Sequence, residues 1–215
     1  MNILLIGGSG RLMDSMILKL RKEGHRVFLL TGDKYRHNKY QKVFERYDFS
    51  YDCENLDDIL NSVNADVTIL MGAFDTNYNW NGEERETVHF MSHLVNILVA
   101  SSVAGKGRVI FLSSDEIYSG NCANDIEEDE PFSGSGQKAD TLSQAEEMCE
   151  NFRQNRNMDI VVLRLDHLYG IPKEKKDVDN IVSRMCLECM KDGHIKAELD
   201  HTFSVLDEKD AVEYI

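Results

Sequence analysis

The apolar tetrad Ile3-Leu4-Leu5-Ile6 runs directly into Gly7-Gly8-Ser9-Gly10-Arg11-Leu12-Met13, and from there into an amphipathic stretch. A glycine-rich turn between a first strand and a first helix is the entry of a dinucleotide-binding βαβ unit. Gly7 can take backbone angles closed to other residues, and Gly10 lets the main chain approach a pyrophosphate at a helix N-terminus whose N–H groups lack internal partners. The third position of the pattern is Met13. A long side chain stands where glycine would let helix and strand touch, which puts cofactor affinity in question.

Beyond this turn, short apolar runs alternate with longer stretches of helical periodicity, the order of a parallel, doubly wound sheet. Strands are expected at Asn2 to Ile6, Arg26 to Leu30, Asp66 to Met71, Arg108 to Leu112 and Asp159 to Leu163. Helices are expected at Arg11 to Lys22, Lys39 to Tyr47, Leu56 to Asn61, Glu84 to Val103 and Leu142 to Arg156. On the fourth of these, Val88, Met91, Val95 and Val99 recur at helical spacing and predict its buried stripe. Asn121 to Ala139, with the acidic run Asp125 to Glu130 and the glycines and serines that follow, has the composition of a mobile surface segment. With 215 residues and 42% hydrophobic content, the chain can bury one main core, or one large and one small lobe.

A formal charge of -14 without a cluster of Lys and Arg argues against nucleic acid, RNA included, and against an anionic membrane surface as primary partner. The sequence shows no apolar run near the ~18 residues of a membrane span and no leader pattern at Met1. Five widely spread cysteines, an odd number, suit reduced thiols in the cytoplasm. Cys186-Leu187-Glu188-Cys189 has redox spacing but falls inside a predicted helix, so buried or half-buried thiols are expected, with Met185 and Met190 packing beside them. His89 and His93, four apart on a helix, lack a third ligand at motif spacing; they read as a solvated or capped pair, and no metal is expected.

Several segments in order resemble the extended and atypical short-chain dehydrogenase/reductases, the NAD-dependent epimerase/dehydratases of nucleotide sugars. The glycine turn is followed by Gly24-His25-Arg26-Val27, similar to the family's turn into its second strand. Asp52 with Leu56-Asp57-Asp58 resembles the segment where an acid lies near the adenine. Ser113-Ser114-Asp115-Glu116-Ile117-Tyr118 resembles the active-site serine and the Asp-Glu pair of sugar-nucleotide dehydratases. Glu127 to Pro131 is similar to the acidic loop that follows, and Leu163-Arg164 with Leu168-Tyr169-Gly170 to the sixth-strand motif near the nicotinamide. Phe203 to Val212 resembles the short strand and helix that lead into the substrate lobe, so the chain reads as a Rossmann-type domain whose substrate lobe, from about residue 165, is truncated, or as a piece of a longer protein with a fused neighbour domain.

The family resemblance implies a tyrosine that exchanges a proton with the sugar hydroxyl and a lysine one helical turn later that lowers the phenol pKa. Counting from Ser114, with Ser143 and Glu147 fixing the helix, these positions hold Asp140 and Gln144. Neither can perform the transfer, and between Ser119 and Arg153 the chain offers no tyrosine and only Lys138. The spacings Tyr35 with Lys39 and Tyr169 with Lys173 fall in other parts of the order. Cofactor contacts, to NAD or NADP, fall to Gly7, Gly10, Arg11, Asp33 and Asp52. Asp33 reads equally as a ribose ligand or a turn residue, and Arg11 as a 2′-phosphate contact or, preferably, a solvated helix start. The expected protein is a degenerate, non-catalytic binding or interaction module serving polysaccharide biosynthesis. The alternative is an active epimerase or dehydratase using Ser114, Asp115 and Glu116. The resemblance also implies a homodimer through helices 84–103 and 142–156.

Overall fold

The computed structural model describes residues 1–8, 10–32, 45–48, 56–80, 84–105, 107–119, 126–170, 181–195 and 204–215. These form two compact units, Met1–Arg164 and Leu165–Ile215. In the first, β1 (Asn2–Ile6), β2 (Arg26–Thr31), β3 (Glu45–Asp48), β4 (Val67–Leu70), β5 (Arg108–Ser114) and β6 (Ile160–Leu165) make one sheet of order β3-β2-β1-β4-β5-β6. The pairs from β3 through β5 are parallel. Nearly continuous apolar strands such as Ile3-Leu4-Leu5-Ile6 are buried along their length, as a sheet covered on both faces requires. Helices α1 (Arg11–Lys22), α2 (Leu56–Val63), α3 (Glu84–Ala104) and α4 (Gln137–Arg156) supply that cover. In the second unit, β7 (His167–Tyr169) and β8 (Val205–Asp207) pair in parallel against α6 (Glu208–Tyr214), and the unit also holds α5 (Ile181–Asp192).

The Rossmann-type α/β fold expected from the alternation is present, with β1 and α1 at their expected bounds. The helix expected over Lys39 to Tyr47 is not: Glu45 to Asp48 is a strand, paired from Phe28↔Glu45 to Thr31↔Asp48, and the residues before it lie outside the described ones. The open edge of β2 supplies a ladder that local propensity could not reveal. On α3, the buried face is Phe90, Leu94, Ile97 and Leu98, whereas Val88 is 62% exposed and Val99 45%. Of the stripe read from the sequence, Met91 and Val95 are half-buried, Met91 against the core, while Val88 and Val99 face outward. Both faces of α3 carry apolar residues, so spacing alone could not say which side meets the core. For the same reason Arg85–Ala104 is long and apolar enough to cross a membrane by length and composition, contrary to the sequence reading, while its inner face packs in the core.

Helix α4 starts five residues before the expected Leu142, after Gly136 at φ +101°. The described part of the preceding segment is mostly exposed, as expected of a surface segment, and its backbone is tied to the turn after β5. The N–H groups of Ser133 and Gly134 both donate to the Ile117 carbonyl, at 3.0 and 2.7 Å. On α5, Cys186 and Cys189 are exposed and Met190 is 84% exposed, against the expectation of buried or half-buried thiols and a packing Met190, whereas Met185 is half-buried. Their periodicity does not place them on the covered side of this helix.

Gly72, just after β4, lies against the backbone of β5 at a separation no side chain tolerates: φ is +47°, and an added Cβ would lie 2.1 Å from the Leu112 carbonyl oxygen. Gly72→Ala should therefore lower unfolding free energy by about 3 kcal/mol or more. Gly24→Ala, at φ +86° with open space around it, should cost about 1 kcal/mol. Urea titration of both variants checks the difference.

Candidate functional site

In a doubly wound sheet, ligands bind outside the carboxyl ends of the strands where the strand order reverses. Here that point lies between β1 and β4. The exit of β1 is Gly7-Gly8; the exit of β4 is Met71 followed by a short 3-10 turn, Gly72–Phe74, and Asp75. The two exits are in close contact. A Cβ on Gly7, at φ +145°, would sit 2.7 Å from Met71 Cβ, and one on Gly8 would sit 2.2 Å from Thr76 Oγ1. Only glycine permits this approach, and it seats the Asp75 carboxylate on the turn: Gly8 N–H donates to Oδ1 at 2.6 Å, and Asn77 N–H to the same oxygen at 2.8 Å.

Asp75 is 9% exposed, and burial pushes its carboxyl up to about 6 against the opposing effect of these two N–H donors. Asp75, Tyr78 and His93 line one small cavity, otherwise walled by apolar side chains such as Leu94 and Phe111. The Tyr78 hydroxyl is hydrogen-bonded to His93 Nδ1, and its ring meets Phe90 edge-on at 5.1 Å. His93 is 5% exposed, and burial, with a smaller contribution from His89, lowers its pKa to about 4. The two histidines are thus not a solvated pair: His93 is interior and His89 stacks on it at 6.5 Å. Among the described residues, no group of three His, Cys, Asp or Glu could hold a metal.

At the exit of β5, Ser114 is 5% exposed, donates to Asp115 Oδ1 at 3.1 Å and accepts from Glu116 N–H at 3.3 Å. Glu116 meets Lys138 Nζ, from the first turn of α4, at 2.6 Å. Lys138 also lies 6.0 Å from the centre of the Trp80 ring. The structure thus brings Ser114, Asp115 and Glu116 together and adds a cation that counting along the chain had set aside. Asp140 and Gln144 are both exposed on α4. Glu146, 5% exposed, is the buried acid, paired with Arg164 Nη2 at 2.8 Å, while Glu147 is exposed.

Arg164 also donates to the Tyr118 hydroxyl and, at 2.6 Å, to the Glu128 carbonyl, with its guanidinium 5.2 Å from the Tyr118 ring and 5.3 Å from Phe132. Burial raises the Tyr118 phenol, against the lowering effect of Arg164. Arg11 is half-buried rather than solvated, and Met13 is fully buried and accommodated in the core. Asp33 and Asp52, together with Tyr35, Lys39 and Lys173, lie outside the described residues.

The family model for the NAD-dependent epimerase/dehydratase family matches residues 3–213. The chain belongs to that family. Solved members with the same fold include UDP-glucose 4-epimerase from Thermotoga maritima in complex with UDP-glucose, 19% identical with a TM-score of 0.85 over 99% of this chain and 71% of that one. UDP-N-acetylglucosamine 4-epimerase from Methanobrevibacter ruminantium, in complex with UDP-N-acetylmuramic acid, is 16% identical with a TM-score of 0.80 over 99% and 70%. The enzyme WbmG of Bordetella bronchiseptica, in complex with NAD and UDP, is 18% identical with a TM-score of 0.78 over 100% and 67%. A search of curated proteins found no match.

The epimerase/dehydratase family implies NAD, and the described part of its cradle offers that group the N-terminus of α1 at Gly10, its extended N-cap without a side-chain cap. It does not fit in charge. A buried carboxylate already holds the Gly8 N–H that faces the switch point, where a pyrophosphate brings further negative charge.

His93 gives this cavity a measurable signature. Its folded pKa lies below the unfolded value, so the stability it contributes is full above pH 6.5 and is lost as pH falls towards 4. The melting-temperature advantage of wild type over His93→Gln should shrink between pH 7 and pH 4.5 in thermal melts.

Proposed function

We propose that this chain is a non-catalytic member of the epimerase/dehydratase family, a binding or interaction module that holds a nucleotide or nucleotide sugar in the family's cleft and serves polysaccharide biosynthesis. The supporting observation is how the local phenols and the local ammonium are already engaged. Tyr78 bonds to His93; Tyr118 bonds to Arg164 and, at 3.0 Å, to the Glu128 carbonyl; and Lys138 is neutralised by Glu116. Proton exchange with a sugar hydroxyl needs a phenol poised by a cation, at hydrogen-bond reach of its substrate. The Tyr118 phenol, raised rather than lowered, is poised the wrong way for a base. We place the chain in the cytoplasm on its odd set of five thiols.

A second reading, an active NAD(P)-dependent epimerase or dehydratase, draws on the Lys138–Glu116 contact next to Ser114, which puts an ammonium and a carboxylate where such chemistry takes place. One incubation separates the two. With NAD and UDP-glucose, the non-catalytic reading expects neither a 4-epimer nor nicotinamide reduction. Turnover abolished by Glu116→Gln would establish the second reading and end the first.

We also propose that two copies pair through α3 and α4. The outward stripe of α3 supports this, since Val88, Val99 and Val103 leave 62%, 45% and 72% of their surfaces exposed. Val99→Glu should convert a dimer to a monomer in light scattering while leaving the melting temperature within a few degrees. A wild-type monomer at high concentration would end the idea.

A further inference from the structure

We propose that the Asp75 carboxylate is the resident anion of the glycine turn, and that a pyrophosphate-bearing dinucleotide binds at the switch point only after Asp75 takes up a proton. This builds on the cleft assignment above but not on the loss of catalysis.

Three observations carry it. The first is position: Asp75 follows β4, which with β1 frames the point of strand reversal, and it accepts the Gly8 N–H at 2.6 Å. The second is closeness. Its Oδ2 would be 3.1 Å from a Cβ on Gly7, and Thr76 and Asn77 lie against Gly8 so tightly that the segment cannot be shifted without unpacking the turn. The third is the absence of a compensating cation among the described groups that share its cavity. The α1 side offers the backbone of Gly7 and Gly8; β1, β4 and β5 offer Ile6, Leu70, Met71 and Phe111; α3 offers Phe90, Leu94, Ile97 and His93. The titratable neighbours are therefore Tyr78 and His93, which bond to each other, and His93 stays neutral down to about pH 4. His89 stacks behind His93.

A second anion brought to this turn meets an uncompensated buried carboxylate, and in a low-dielectric site like charges disfavour each other's ionised form. The neutral acid removes that repulsion. Burial already pushes the Asp75 carboxyl up to about 6, so proton uptake is within reach of ordinary buffers. When one proton must be taken up for binding, affinity falls about tenfold for each pH unit above the pKa of the group.

The test is calorimetric titration of NAD into the whole chain at pH 5.5 and pH 8.0, for wild type and Asp75→Asn. The charge of NAD does not change over this range. Wild type should bind at least about tenfold more tightly at pH 5.5 than at pH 8.0. Asp75→Asn should bind NAD at both pH values with the affinity that wild type shows at pH 5.5. Wild-type affinity independent of pH, a variant no tighter than wild type at pH 8.0, or no binding by either protein at pH 5.5 would overturn the inference. If the asparagine variant fails to fold by circular dichroism, Asp75→Ser replaces it, and the wild-type pH series still decides. Turnover in the assay above would sink the non-catalytic reading and leave this comparison intact; equal affinities would do the reverse.

Discussion

Two strand exits meet here at a distance that only glycine allows, and the architecture of the cleft follows from that contact. Gly7 lies against Met71, Gly8 against Thr76, and the shared interface is closed by one carboxylate on one backbone N–H. A Rossmann-type turn ordinarily leaves its N–H groups facing outward, where the dipole of the following helix adds to their pull on an anion. In this chain the loop after β4 supplies an anion from within. The turn retains the residues that make a cradle, yet part of its donor capacity is spent on holding the protein together.

The same internal engagement runs along the cleft to β5. Family chemistry uses a phenol and an ammonium left free to face a ligand, whereas here both kinds of group are drawn into contacts with neighbouring residues. The Lys138–Glu116 contact is half-exposed and worth little by itself. The Glu146–Arg164 pair is another matter. Glu146 is buried, held by the half-buried Arg164 through more than one hydrogen bond, and adjacent to Cys149, whose thiol burial and Glu146 together push up to about 12. Losing Arg164 would leave the Glu146 carboxylate buried without its partner, a larger cost than the loss of a surface pair.

How much of this could be read from the chain depended on whether the signal was local. The glycine turn and the apolar runs of β1, β2 and β5 are local patterns, and they gave the sheet and the helix that follows. Glu45 to Asp48 became a strand because β2 had an open edge, which no window of sequence contains. Only part of the stripe expected on α3 is covered, because apolar residues lie on both sides of that helix, and which of the adjacent acids Glu146 and Glu147 is buried is decided by Arg164, eighteen residues on from Glu146. Ser114, Asp115 and Glu116 were found through their order after a strand. Asp75 was not, since a single acid in a loop has no periodicity; the crowding of Gly7 and Gly8 by one partner segment is a fact of three dimensions.

Arg164 has a wider consequence. One guanidinium serves β6, the acid of α4, the phenol that follows β5, and the loop carbonyl of Glu128, with Phe132 stacked on it. The loop at 128–132 and the helix that carries Glu146 therefore share a single fastening. A sequence change in that loop is transmitted at once to the seating of the helix, so drift in this lineage must edit both places together or neither.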